Sequence, residues 1–341
     1  MLADTALAVM WVGLTCYALF GGADFGAGVW DLLAGGTRRG LRQRRLIEHS
    51  IGPIWEANHV WLIFVIVLLW SGFSPVFAAV MSTLYLPLTL AALGIIARGA
   101  AFAFRKASTE LWQQRLFGAC FALSSLITPF FLGTVAGAVA SGRVPPGLAE
   151  GNVLTSWLNP TSVLGGVLAV LTCAHLAAAY LCADAARDNE RALASDFACR
   201  ATISGLASGA VACIGIAVLH ADAPDLFHGL THRALPLVIL SAVAGLTGLA
   251  LLNRGRYVLA RPAAALAVAA ILWAWGAAQY PAMLVGSTTV YQAAADEAVL
   301  TACLIALAIG AVLLIPSLWL LYATFQRRTP AAPHARPPAS P

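Results

Sequence analysis

Charge is what this sequence has least of. Only 10% of its 341 residues are Asp, Glu, Lys or Arg, whereas soluble domains carry roughly 25%. A water-soluble chain of this length could not cover its surface with so few charges, which excludes an architecture of two or three soluble domains. Paired cysteine motifs are missing too. The seven cysteines, Cys16, Cys120, Cys173, Cys182, Cys199, Cys213 and Cys303, form no C-x-x-C. Most lie inside apolar runs and read as small buried hydrophobes, not disulfides or a metal cluster. The N-terminus, Met-Leu-Ala-Asp-Thr, lacks a basic n-region, so the first apolar run is expected to be a retained span. No concentrated basic surface exists either. The net charge of +5 is spread over short loops, which argues against a nucleic-acid partner.

What is present is a series of long apolar runs in a chain that is 60% hydrophobic. A spanning helix needs about 20 such residues. Nine segments qualify: 5–33, 52–72, 75–97, 116–140, 161–183, 201–220, 234–252, 257–279 and 298–322. The expected fold is an all-α integral membrane protein. The polar stretch Arg105 to Arg115 is expected to form an amphipathic interfacial helix, and the Pro- and Ala-rich tail from Thr329 to be disordered. The loops 34–51, 98–115, 184–200 and 253–261 and the tail hold 18 of the 20 basic residues, and the alternate loops hold only Arg143 and Arg233. This alternation supports nine spans, with the N-terminus outside and the C-terminus cytoplasmic.

Carboxylates within the spans are few: Asp24 and Asp31 in the first and Glu56 near the start of the second. Asp31 is close to the cluster Arg38, Arg39, Arg42, Arg44, Arg45 and is expected at the interface. A charge at mid-bilayer costs a few kcal/mol or more, so Asp24 and Glu56 should face the protein interior. Two readings are open. The two carboxylates stand at successive depths below the cytoplasmic face, as in a proton path, or each is simply hydrogen-bonded in a polar helix interface.

Other polar features carry less. Glu56-Ala-Asn-His59 has the Glu-x-x-His spacing of a helical di-iron site, but no second copy exists. His175 reads as hydrogen-bonded between helices, and His220, His228 and His232 as solvated. Gly22 and Gly26 have the spacing that lets helices approach closely. Trp55, Trp61 and Trp70 are explained by packing or interfacial anchoring.

The run Gly21-Gly-Ala-Asp24-Phe-Gly-Ala-Gly28, followed by Ser50-Ile-Gly-Pro-Ile-Trp55-Glu56-Ala-Asn58-His-Val-Trp61-Leu, resembles subunit II of cytochrome bd-type quinol oxidases. The resemblance continues from Phe77 to Arg105, through Trp157-Leu-Asn159-Pro160, and at Tyr280-Pro281. It covers most of the chain and is weaker in the second half. It implies two four-helix bundles, at 1–140 and 141–290, a peripheral ninth helix at 291–328, and a tail at 329–341.

By the same resemblance, the complex oxidises quinol and reduces dioxygen to water in the bacterial inner membrane. Haem b and haem d, or haem b alone, sit in the partner subunit I. This chain would be the haem-free subunit II, with Asp24 and Glu56 as proton-transfer groups and Trp55, Asn58 and Trp61 as supporting residues. Arg98 would either hold a carboxylate or haem propionate or mark topology. A structural quinone and a small single-span subunit are compatible with this reading. Phe20, Gly21, Gly22 and Phe102, Ala103, Phe104 depart from relatives that carry further carboxylates nearby. The competing readings are a polytopic transporter and a purely structural scaffold subunit.

Overall fold

A bilayer offers no hydrogen-bond partners to the backbone, so an apolar chain crosses it as helices. The computed structural model describes residues 1–35, 40–51 and 55–326. The side chains of Trp55 and Glu56, the residues Arg38 and Arg39, and the tail 329–341 lie outside the described residues. The first crossing is α1 (Leu2–Cys16), one π-helical turn (Tyr17–Gly21) and α2 (Gly22–Leu32). Then follow α3 (Leu41–Ile51), α4 (Trp55–Gly72), α5 (Ser74–Thr83), α6 (Tyr85–Ala107) and α7 (Leu111–Ala140). The second half comprises α8 (Pro160–Arg187), α9 (Arg191–Asp222), α10 (Pro224–Thr231), α11 (Leu235–Asn253) and α12 (Tyr257–Gln279). A two-stranded hairpin, β1 (Ala282–Leu284) with β2 (Thr288–Thr289), leads through α13 (Val290–Ala293) into α14 (Glu297–Gln326).

Among the described residues, eight helices are long and apolar enough to cross a membrane, and nine when the bent pair α4–α5 is counted as one. That pair departs from expectation. The apolar run 75–97 is not one span: α4 turns through 119° into α5, and the next crossing starts only at Tyr85. Pro75 sits in the first turn of α5, where a missing N–H costs nothing. Phe73, fully buried at the corner, anchors the turn. Nor does Arg105 to Arg115 form a separate helix. α6 runs on to Ala107 and α7 starts at Leu111, because lengthening two spanning helices satisfies more backbone groups than a short third helix could.

Local signals legible in the sequence set other boundaries. Asn159 caps α8, its Oδ1 accepting from the Ser162 N–H at 2.9 Å, and Pro160 follows in the first turn. The halves then lock through glycine. A Cβ on Gly133 of α7 would lie 2.4 Å from the Gly165 carbonyl oxygen of α8, and one on Gly165 would lie 2.6 Å from that of Gly133. Gly26 of α2 is tighter still, at 1.8 Å from the Cys173 carbonyl oxygen. Such approaches let dispersion hold helices together where water is absent. The largest buried apolar cluster accordingly joins α2 and α3 to α8, α9, α11 and α12. α14 lies against α1 and α4, with most of its large side chains exposed.

The polar contacts collect at two ends. At the basic end α3 lies across the bundle. Asp31, 5% exposed, receives Arg44 at 3.1 Å and Arg105 at 2.9 Å. Glu48 meets Arg105 at 3.5 Å, Arg42 pairs with Glu190, and Arg200 donates to Gln43 at 3.0 Å. At the opposite end Arg143 grips Asp222 through both guanidinium nitrogens, at 2.6 and 3.0 Å, while the Thr161 hydroxyl donates to the same carboxylate at 2.6 Å. Tyr291 and Tyr280 share a hydrogen bond of 2.7 Å, and both reach Asp4. These bonds, the one to Tyr280 foremost, push the Tyr291 pKa up. Loops that alternate along the chain thus gather at opposite ends, as successive crossings require.

Gly26→Ala should destabilise the protein by about 2 kcal/mol or more, because neither backbone nor Cys173 can recede. Gly310→Ala, with nothing within 4 Å of the added carbon, should leave the thermal midpoint of the solubilised protein unchanged or higher. Equal effects of the two would contradict this packing.

Candidate functional site

The site is built around Asp24, in the first turn of α2 after the π-helical turn. An i→i+5 turn rotates the face of the helix that follows it, and here it brings Asp24 inward, to 6% exposure. α4 runs beside this turn, and Asn58 Nδ2 donates to the Asp24 carboxylate and, at 3.4 Å, to the Phe20 carbonyl. Trp61, one turn further along α4, packs partly buried against the small cluster of Tyr17, Phe25 and Cys173.

Arg98, counted above with the loop 98–115, lies in the body of α6 at 2% exposure. Its Nη2 donates to the main-chain carbonyl of Asp24 at 2.8 Å and its Nε to Ser125 Oγ at 3.1 Å. The rings of Phe25 and Phe121 lie 5.0 and 4.9 Å from the guanidinium carbon, an arrangement that attracts a desolvated cation. Taking Arg98 out of the loop tally leaves 17 basic residues against 2, so the alternation survives. Asp31, expected at the interface close to the arginine cluster, is buried at the basic end between Arg44 of that cluster and Arg105.

The structure therefore brings Asp24, Asn58 and Arg98 together, with Trp61 beside them. Glu56 and Trp55 belong to the first turn of α4 by backbone alone. His175 behaves as expected: its Nδ1 bonds the Ala201 carbonyl at 2.9 Å, tying α8 to α9. All seven cysteines are free thiols. His228 and His232 stack at 4.0 Å between ring centres on exposed α10. Among the described residues no three His, Cys, Asp or Glu side chains gather into a metal-ligand group.

A cavity of about 70 Å³ adjoins Asp24, with room for several waters. Asn58 and Ser50 line it together with Tyr180, Asp184 and Arg261 from the second half. Sequence reasoning missed these last three, having left Asp184 and Arg261 in loops. α8 carries its helix a turn beyond the hydropathic run, to Arg187, and Arg261 lies in the first turns of α12. The spacing Tyr180-x-x-x-Asp184, one face of a helix, was the available signal.

A buried carboxylate, one amide partner, a nearby guanidinium and a cavity with room for water make a group that can take up and release a proton. The buried cation also offsets the cost of the buried anion. Arg98→Met alone should cost about 3–5 kcal/mol, because it strands Asp24. In an Asp24→Asn background the loss should be smaller, with a coupling of about 1 kcal/mol or more. Thermal unfolding of the four solubilised proteins checks this, and strict additivity would show that Arg98 serves only Ser125 and the main chain.

A family sequence model described as cytochrome bd terminal oxidase subunit II matches residues 2–325. Cytochrome bd ubiquinol oxidase subunit 2 of Bacillus subtilis is 31% identical over 170 residues, which are 49% of this chain and 48% of that protein. Cytochrome bd-I ubiquinol oxidase subunit 2 of Escherichia coli is 28% identical over 172 residues, 48% of this chain and 44% of that protein. The chain spans about half the length of the curated relatives it matches. A chain in the structure of bd oxidase from Geobacillus thermodenitrificans superposes with a TM-score of 0.77 at 25% identity, covering 95% of this chain and 98% of that one.

Proposed function

The chain belongs to the cytochrome bd terminal oxidase subunit II family, and from that membership we propose that it is the haem-free partner of a haem-bearing subunit I in a respiratory quinol:oxygen oxidoreductase. Two quinols give four electrons, and one dioxygen takes these with four protons to form two waters. Haem b and haem d, or haem b alone, held by the partner, carry the electrons and reduce the oxygen. The residues of this chain hold and move protons. The reading treats it as two four-helix bundles, 1–140 and 141–290, with the ninth helix at 291–328. A small single-span subunit and a structural quinone fit beside it.

The observation that carries the proton role is the carboxylate of Asp24. It is buried against Asn58 and borders a cavity lined by residues of the basic end. The basic loops belong on the cytoplasmic side, which sets the N-terminus outside and the C-terminus inside. Protons then come from the cytoplasm while quinol releases its own at the outer face. Each charge moved in this way stores about 2.3 kcal/mol per 100 mV. Glu56, in the first turn of α4, stands nearer the cytoplasm than Asp24 and passes protons to it.

The scaffold reading has one observation behind it: Asp24 already has a hydrogen-bond partner and a neighbouring cation. Two experiments decide. The tagged chain should co-purify with a partner that shows b-type absorption, with or without d-type bands. A colourless, stable, lone protein would remove the oxidase assignment. Asp24→Asn should slow oxygen consumption by about tenfold or more and Glu56→Gln should slow it measurably, both with near-normal haem spectra. Full turnover and an unchanged membrane-potential signal in both would leave the scaffold.

A further inference from the structure

The Asp24 cavity is built by two facing helical stripes. Phe20, Ala23, Asp24 and Ala27 of the first crossing recur at i, i+3, i+4 and i+7, and so do Ala177, Tyr180, Leu181 and Asp184 of α8. That period marks one face of a helix. Both helices run towards the basic end, and the close contact of Gly26 with Cys173 and Ala177 holds them parallel. From Ala177 to Asp184 is seven residues, or about 10 Å along the axis.

Exposure rises along this face. Asp24 is 6% exposed, whereas the side chains of Asp184 and Arg261 are 25% and 29% exposed. These two form an ion pair at 3.1 Å, with Arg187 reaching the same carboxylate oxygen at 3.5 Å. Arg261 also lies 4.4 Å over the Tyr180 ring. The cavity thus has a buried acid at one end and a partly solvated ion pair at the other, contributed by the half of the chain that does not carry Asp24.

We propose that the Asp184–Arg261 pair is the mouth of a water-filled inlet between α2 and α8, which delivers protons to Asp24 independently of Glu56. This rests on the reading of Asp24 as a proton-carrying group. A proton arriving as hydronium passes along waters in the cavity and binds an Asp24 oxygen, turning carboxylate into carboxylic acid. Release towards the partner subunit restores the carboxylate, so only O–H bonds form and break. Four such cycles serve one dioxygen. Asp184 is a positioning residue: it holds Arg261 against Tyr180 and keeps the mouth polar.

The test uses the whole purified oxidase, following haem oxidation by oxygen optically and proton uptake with a pH dye. Asp184→Asn should slow proton uptake about three- to tenfold and leave the early electron-transfer phase unchanged, and Asp184→Glu should restore it. Asp184→Asn combined with Glu56→Gln should be slower than either alone. Ala23→Leu, which fills the cavity without touching the ion pair, should reproduce the slowing and stands in if Asp184→Asn fails to assemble. Slow uptake in Asp24→Asn with normal uptake in both Asp184→Asn and Ala23→Leu overturns the inlet while keeping the proton role of Asp24. Normal uptake in Asp24→Asn overturns that role, and the inlet with it.

Discussion

The structure depends on how one buried cation is answered. Arg98 sits inside a membrane-spanning helix, where an unpaired charge would be prohibitive. It is held by Ser125, by the main-chain carbonyl of Asp24, and between the rings of Phe25 and Phe121. Each of these partners constrains a helix. Asp24 and Phe25 fix the rotation of α2, Phe121 and Ser125 fix α7, and Arg98 itself fixes α6. Because the guanidinium is committed to the main chain, the Asp24 carboxylate is left to Asn58 and the cavity. A full salt bridge would hold that carboxylate permanently ionised, whereas a cation one step removed lowers the cost of its charge without fixing its state.

The two ends of the molecule do different work. At the opposite end Arg143, Asp222 and Thr161 join α7–α8 to the end of α9 in a closed, bidentate cluster. At the basic end the pairs are more numerous and shared, with Asp31 between two arginines and Asp184 between Arg187 and Arg261. The partly exposed pairs of Asp184 add little stability. On the proposed inlet, their placement beside the Asp24 cavity gives them a part in access.

Much of this was legible in the sequence. Scarcity of charge identified the membrane, and the alternation of basic loops identified nine crossings and two distinct ends. Asp24 stood out because few other acids fall in an apolar run, and Asn159-Pro160 marked the start of α8. What escaped has physical reasons. Hydropathy averages over a window, so it passed over the break at Leu84 and joined α5 to α6. It counts Arg98 as a loop residue, because a buried arginine and a topological one look alike without neighbours. It ends α8 where apolarity ends, although that helix continues past Asp184 to Arg187. The π-helical turn that precedes α2 has no composition of its own.

The central claim is that Asp24 changes its protonation state as the oxidase works. Redox-triggered infrared difference spectroscopy on the assembled complex reads this directly. The account predicts a carboxylic-acid carbonyl band that appears or disappears on reduction, shifts in deuterium oxide, and is missing in Asp24→Asn. An identical set of carboxyl bands in wild type and Asp24→Asn would show that this carboxylate keeps one protonation state throughout, and would contradict the account.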